Sequence, residues 1–151
     1  MPTLFHSGIL FGNMDSSRFC RPAFYEVMLR FPKVKFALAH IGWPWTDECI
    51  AVGGRMRAAV HYDGSKSQMY VDITRGTPGS YRVDALSKAL EYLGPERLIY
   101  GSDDTAPGDL SYSRRSIDTD REIICGNLGR PEEDFVKVAR GNLADYLTPF
   151  E

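Results

Sequence analysis

The sequence has no Cys-x-x-Cys pair, and its cysteines are odd in number: Cys20, Cys49 and Cys125. That pattern excludes a thiolate zinc site of ordinary spacing and a disulfide framework. It fits buried thiols in a reducing compartment, the cytoplasm. No apolar run reaches the length of about 18 residues that a membrane-spanning helix needs. Met1 to His6 contains no basic stretch followed by an apolar one, so a signal peptide is not expected. Charge of either sign is not in excess. A net charge of −2 leaves no basic footprint for nucleic acid and no acidic tail. Neither G-x-G-x-x-G nor G-x-x-x-x-G-K-[ST] occurs, which weighs against a doubly wound α/β domain holding a phosphate-bearing ligand at helix N-termini.

A chain of 151 residues that is 43% hydrophobic can bury a core without disulfide or metal staples, so residues 1–151 are expected to form a single domain. Short apolar or β-branched runs mark strands at Thr3–Phe5, Val34–Ala39, Met69–Ile73 and Arg97–Tyr100. None alternates cleanly between apolar and polar residues, as expected of parallel strands covered on both faces. Helices are predicted over Arg21–Arg30, behind Pro22, and over Thr46–Val60, weakened by Gly53 and Gly54. The clearest is Val83–Leu93, with Val83, Leu86, Leu90 and Leu93 on one face and Gly94-Pro95 as its stop. A polar loop from Gly101 to about Ser116 precedes helical pieces at Ile117–Cys125, Glu132–Val138 and Asn142–Leu147. Strands therefore recur roughly 30 residues apart, the size of one βα unit. The alternation predicts an α/β fold with a parallel sheet and right-handed crossovers.

In parallel α/β folds the chemistry gathers at the carboxyl ends of the strands. His6 follows the first run, His40 the second, and Gly101-Ser102-Asp103-Asp104 the fourth; the third carries Asp72, then Thr74 and Arg75. Imidazole and carboxylate are natural ligands for a divalent ion, which lowers the pKa of bound water and leaves a neighbouring His or Asp to move its proton. The same residues also have structural uses. A strand-end His is often simply hydrogen-bonded, and Gly-Ser-Asp serves as a turn or a helix cap. His61 has no such placement and reads as a surface residue. Trp43 and Trp45 suit packing or an aromatic pocket wall. Arg55, Arg57, Arg75, Arg114 and Arg115 are each able to clamp a carboxylate, with nothing to single one out.

The order of the motifs adds to this. Leu4-Phe5-His6-Ser7-Gly8 comes first, then His40-Ile41-Gly42 with Trp43-Pro44-Trp45. Ile99-Tyr100-Gly101-Ser102-Asp103-Asp104-Thr105-Ala106-Pro107 follows, and Gly141-Asn142-Leu143-Ala144-Asp145-Tyr146-Leu147 closes the set. Together they resemble the amidohydrolase-related family of metal-dependent hydrolases, in the group similar to aminocarboxymuconate semialdehyde decarboxylase. The resemblance implies a (β/α)8 TIM-barrel type fold of which this chain is the last four βα units, a half barrel. It implies that His6 is a metal ligand after strand five. His40, after strand six, would polarise metal-bound water or substrate. Asp103, after strand eight, would bind the metal and shuttle a proton. The implied cofactor is a divalent metal, most often zinc. The implied reactions are hydrolysis, non-oxidative decarboxylation of carboxylated rings or dienes, and hydration, on a small carboxylate or amide substrate.

One family feature is missing. Members carry a His-x-His pair on strand one that supplies two ligands, and no His-x-His occurs here. The first four strands are expected to lie outside this chain. His6 and Asp103 alone fall short of the three protein ligands usual for catalytic zinc, so the metal is expected to need further donors or to be absent. A half barrel also leaves two strand edges and an uncovered inner face. At about 25 cal/mol per Å² of apolar surface, that favours a homo-oligomer or a complementing N-terminal half. Alternatively, helices close over an open four-stranded sheet. The functional expectations are thus a hydrolase or decarboxylase, or a catalytically silent relic or subunit that keeps the fold.

Overall fold

The computed structural model describes residues 1–12, 15–63, 68–105 and 108–149, without the side chains of 62 and 63. Strands β1 (Thr3–Phe5), β2 (Phe36–Leu38), β3 (Met69–Asp72) and β4 (Leu98–Ile99) form one sheet in the order β1-β2-β3-β4. Every pairing is parallel, with Ala37 opposite both Leu4 and Tyr70 and Asp72 opposite Ile99. Each strand lies within the run expected of it, and most are shorter, because pairing stops where the chain turns into the loop carrying the polar residues.

The connections are helical. After β1 come α1 (Ser16–Phe19) and a 3₁₀ helix at Pro22–Arg30. The sequence signals had suggested an ordinary helix over the latter and nothing over the former. Helix α2 (Thr46–Asp63) runs through both of its glycines. A Cβ at Gly53 would stand 2.9 Å from Leu93 Cδ2, and one at Gly54 2.5 Å from Tyr92 Cε1. The glycines mark close helix packing, not a helix end. Helix α3 (Gly79–Leu93) buries Arg82, Ala85, Leu86, Ala89, Leu90 and Leu93, whereas Val83, expected on the inner face, is exposed.

Helix α4 (Ser111–Arg121) begins inside the stretch expected to be loop. It continues as wider helical turns over Glu122–Asn127. The last two predicted helices form one helical stretch: α5 (Glu132–Val136), a wide turn at Lys137–Gly141, and α6 (Asn142–Leu147). The Ala106-Pro107 end of the third motif lies outside the described residues. Among the described residues no helix is long and apolar enough to cross a membrane.

The two faces of the sheet differ. Phe36, Leu38, Met69, Val71 and Leu98 point to one side and pack with Met28, Met56, Leu86, Leu90, Ile124 and Val138. Fully burying such side chains contributes about 1.5–3 kcal/mol each. The other face carries Ala37, Tyr70 and Ile99, and α6 covers it with Tyr146. The Tyr70 and Tyr146 rings lie 5.3 Å apart, edge to face. Tyr70 donates its hydroxyl proton to the Asp145 carboxylate, and buried Lys35 donates to the Asp145 carbonyl. Asn142 Nδ2 ties the start of α6 to the carbonyls of Pro95 and Leu98 at 2.6 and 2.7 Å. The expectation of an uncovered inner face is therefore corrected toward its alternative, a helix closing over the sheet: Ala37, Tyr70 and Ile99 are buried, while Leu4 on edge strand β1 stays 59% exposed.

Candidate active site

His40 leaves β2 on an unusual backbone. His40, Ile41 and Gly42 have φ of 62°, 53° and 67°, three left-handed residues in succession. For His and Ile this costs on the order of 1–3 kcal/mol each, a strain characteristic of functional sites. Contacts from the loop after β3 hold the turn in place. Thr77 Oγ1 donates to the His40 carbonyl at 3.0 Å. The Gly76 backbone lies so close that a Cβ there would stand 2.5 Å from His40 Cγ. His6 reaches the same place from β1, its ring 5.0 Å from that of His40. Tyr25 donates to the His6 carbonyl at 2.8 Å, and His6 Nε2 lies 3.3 Å from the Ile9 carbonyl oxygen.

Behind His40 stand Asp72 and Thr74, which the sequence placed at the end of the third run without assigning them a role. Asp72 is the last residue of β3, 4% exposed. Its carboxylate accepts from Thr74 Oγ1 at 2.6 Å and from the Thr74 amide at 3.2 Å. Thr74 Oγ1 in turn lies 2.7 Å from His40 Nδ1. Burial pushes the Asp72 carboxyl up to about 6, against the lowering effect of the Thr74 hydrogen bonds. Burial likewise lowers the His40 pKa, and the neighbouring His6 adds to the effect. His40 is therefore neutral at pH 7.

Asp103 sits on the exposed loop after β4 with φ 57°. Its charge opposes ionisation of Asp72 and favours a charged His40, which places it at the same mouth. Beneath the mouth, Arg82 donates from Nη2 to the carbonyl of Ile73, the residue between Asp72 and Thr74. No sequence signal separated Arg82 from a solvated helix charge, and Asp72, noted at the end of the third run, carried nothing that tied it to His40.

The other candidates are elsewhere or differently engaged. His61 is exposed. Trp43 and Trp45 are half-buried, with Trp43 5.9 Å from the Tyr81 ring, and they line a groove of about 420 Å³ with Lys88 and Asp84. Arg57 donates to the Tyr92 carbonyl, and Arg55 pairs with Glu26 at 3.6 Å. Arg75 lies over the Tyr112 ring on the loop that carries Thr74. Cys20 and Cys49 are buried thiols as expected, while Cys125 is half-buried.

As a metal site the donor set is incomplete. Among the described residues no group of three or more His, Cys, Asp or Glu side chains stands where it could hold one ion. His6 and Asp103 amount to two donors, and catalytic zinc takes three from protein.

The amidohydrolase family model matches residues 1–142. No curated protein matches. Among solved structures, 5-carboxyvanillate decarboxylase from Sphingomonas paucimobilis is 18% identical with a TM-score of 0.53, the alignment covering 92% of this chain and 43% of that one. The 2,6-dihydroxybenzoate decarboxylase from Rhizobium is 13% identical with a TM-score of 0.55, covering 96% and 50%. A 2,6-dihydroxybenzoate decarboxylase complexed with 2,6-dihydroxybenzoate is 14% identical, TM-score 0.55, with the same coverage. At these identities the likeness is one of fold. The chain spans about half the length of the solved structures it matches.

Proposed function

This chain belongs to the amidohydrolase family, and from that premise we propose that it forms the proton-transfer side of a hydrolase or non-oxidative decarboxylase active site for a small carboxylate or amide. The observation that carries this reading is the placement of His40: neutral, against His6, backed by Thr74 and Asp72, and within the field of Asp103. In a decarboxylation the carboxylate leaves as CO2 and the carbon it leaves takes a proton that comes from water, which His40 Nε2 or the Asp103 carboxylate would first take up and then hand on. In a hydrolysis the same groups take a proton from water and return it to the leaving group. Arg75, beside Thr74, is the arginine we assign to a substrate carboxylate.

The family implies a divalent metal, usually zinc, which when bound acts as a Lewis acid and activates water. His6 and Asp103 would be its donors from this chain, and the others would come from outside these 151 residues. In this reading the four strands are the last four of a (β/α)8 barrel. The open β1 edge and Leu4 meet a second copy or a separate N-terminal half. The three unpaired cysteines suit the cytoplasm.

The test is turnover of a panel of aromatic carboxylates and amides, headed by 5-carboxyvanillate and 2,6-dihydroxybenzoate, with and without zinc. His40→Ala is expected to lower the rate by about 10²–10⁴-fold. Turnover unchanged in that variant would overturn the assignment. The incomplete donor set favours one other reading, a catalytically silent subunit. That reading predicts no turnover of the panel and no thermal stabilisation by divalent metals.

A further inference from the structure

We propose that Asp72 and Thr74 are positioning residues that hold His40 in a single tautomer, with the proton on Nδ1 and Nε2 left as the basic nitrogen. The inference deepens the assignment of His40 above and rests on that reading for its functional meaning.

It follows from counting protons. A threonine hydroxyl has one proton to donate and lone pairs to accept with. Thr74 Oγ1 has two close partners, Asp72 Oδ2 at 2.6 Å and His40 Nδ1 at 2.7 Å. An ionised carboxylate only accepts, so the hydroxyl proton goes to Asp72. The contact with Nδ1 is then a hydrogen bond only if Nδ1 donates. A neutral imidazole carries one proton, so Nε2 has none.

The opposite arrangement needs a proton on Asp72 Oδ2, which the ionised carboxylate does not carry at pH 8. The Thr74 amide donates to Asp72 Oδ1 at 3.2 Å, which fixes that oxygen as an acceptor and leaves Oδ2 to face the hydroxyl. The Gly76 backbone lies against the His40 ring, and a Cβ there would stand 2.7 Å from Nδ1. Thr77 holds the carbonyl of the same residue. Thr74 touches the His40 ring at Nδ1, and Asp72 reaches it through Thr74. Their effect passes through the ring.

The same counting gives the variants their signs. In Asp72→Asn the amide must keep Oδ1 toward the Thr74 N–H, so its NH2 group faces Thr74 Oγ1 and donates. The hydroxyl proton then turns to Nδ1, and the imidazole proton moves to Nε2. In Thr74→Val the ring loses its partner and the tautomer is no longer held. In Thr74→Ser the hydroxyl is restored and Nδ1 keeps its proton.

The measurement is long-range ¹H–¹⁵N correlation of the histidine rings in ¹⁵N-labelled full chain at pH 8, with His6→Gln and His61→Gln used for assignment. His40 is expected to show a protonated Nδ1 and a free Nε2 in the wild type and in Thr74→Ser, and the reverse in Asp72→Asn. Either the Nε2-protonated form in the wild type, or a tautomer unmoved by Asp72→Asn, would overturn the proposal. Asp72→Asn conserves volume and both Thr74 contacts, so it remains informative if Thr74→Val does not fold. The readout needs no turnover. A fixed tautomer in a chain that turns over nothing would refute the functional reading and leave this one standing.

Discussion

Arg82 and Asp120 form a buried, bidentate ion pair: Nε donates to Oδ1 and Nη2 to Oδ2, both at 2.6 Å. Their side chains are 3% and 0% exposed. Arg82 also donates to the Ile73 carbonyl at 2.6 Å, so the pair braces the end of β3 that carries Asp72 and Thr74.

Removing one partner leaves a buried guanidinium without its counter-charge. Asp120→Ala is expected to lower unfolding stability by about 3–5 kcal/mol. Denaturant titration at pH 7 measures this, and a loss below about 1 kcal/mol would show that the pair is not the brace described. Replacing both residues by apolar ones of similar volume is expected to cost much less.

Asp72 makes a pH-dependent contribution of opposite kind. Its folded pKa of about 6 lies above the ordinary value of 3.8, so between those values the folded chain holds a proton the unfolded chain has released. Asp72 therefore costs nothing below about pH 3.8 and costs its full amount above about pH 6, roughly 2–3 kcal/mol. Asp72→Asn is expected to gain that amount at pH 7.5 and nothing near pH 3.8. The groups facing Asp72 are Thr74, Asp103, Arg82 and Tyr146, all unchanged in the variant. His40, with its lowered pKa, loses stability as pH falls below 6.5, so the comparison that isolates Asp72 is the one at pH 7.5, above that range. A variant no more stable than wild type at pH 7.5 would count against a strained, ionised Asp72.

Gly76 decides whether His40 has its place. In Gly76→Ala the new methyl group would stand 2.5 Å from Cγ and 2.7 Å from Nδ1, so the ring must move off Thr74. Stability is expected to fall by about 1–3 kcal/mol from overpacking. Any turnover that depends on His40 is expected to fall at least about tenfold. Ring ¹⁵N shifts like those of wild type in the variant would contradict the close approach.

The metal expectation is also quantitative. Monomeric chain, isolated by gel filtration without chelator, is expected to hold well under one zinc per chain by elemental analysis. A stoichiometric zinc that is lost in His6→Ala would mean that donors of this chain other than His6 and Asp103 complete the site.

Much of the scaffold was readable from residue pattern alone. Strands buried on both faces must be short apolar runs, and the runs at Val34–Ala39 and Met69–Ile73 contain β2 and β3 for that reason. His6, His40 and Asp103 stood out because they share one placement, just past the carboxyl ends of parallel strands, where chemistry gathers. Helix extents were less readable. Gly53 and Gly54 look like breakers until Leu93 and Tyr92 are seen against them.

What the sequence by itself determined is therefore the alternation of elements and the position of three polar side chains at strand ends, since both depend on near neighbours along the chain. The tertiary structure decided the rest. Ile41 in a left-handed turn has no local signal, because only the loop after β3 makes that strain tolerable. Asp72 is a polar residue at the end of the third run with no role until Thr74 and His40 meet it. Arg82 looks like a solvated helix charge until Asp120, 38 residues away, closes on it. Tyr146 covers the second face of the sheet only because Asn142 anchors α6 to β4. Each of these is a pairing across long sequence separation, where the free energy comes from burial and proton placement between partners that no single segment contains.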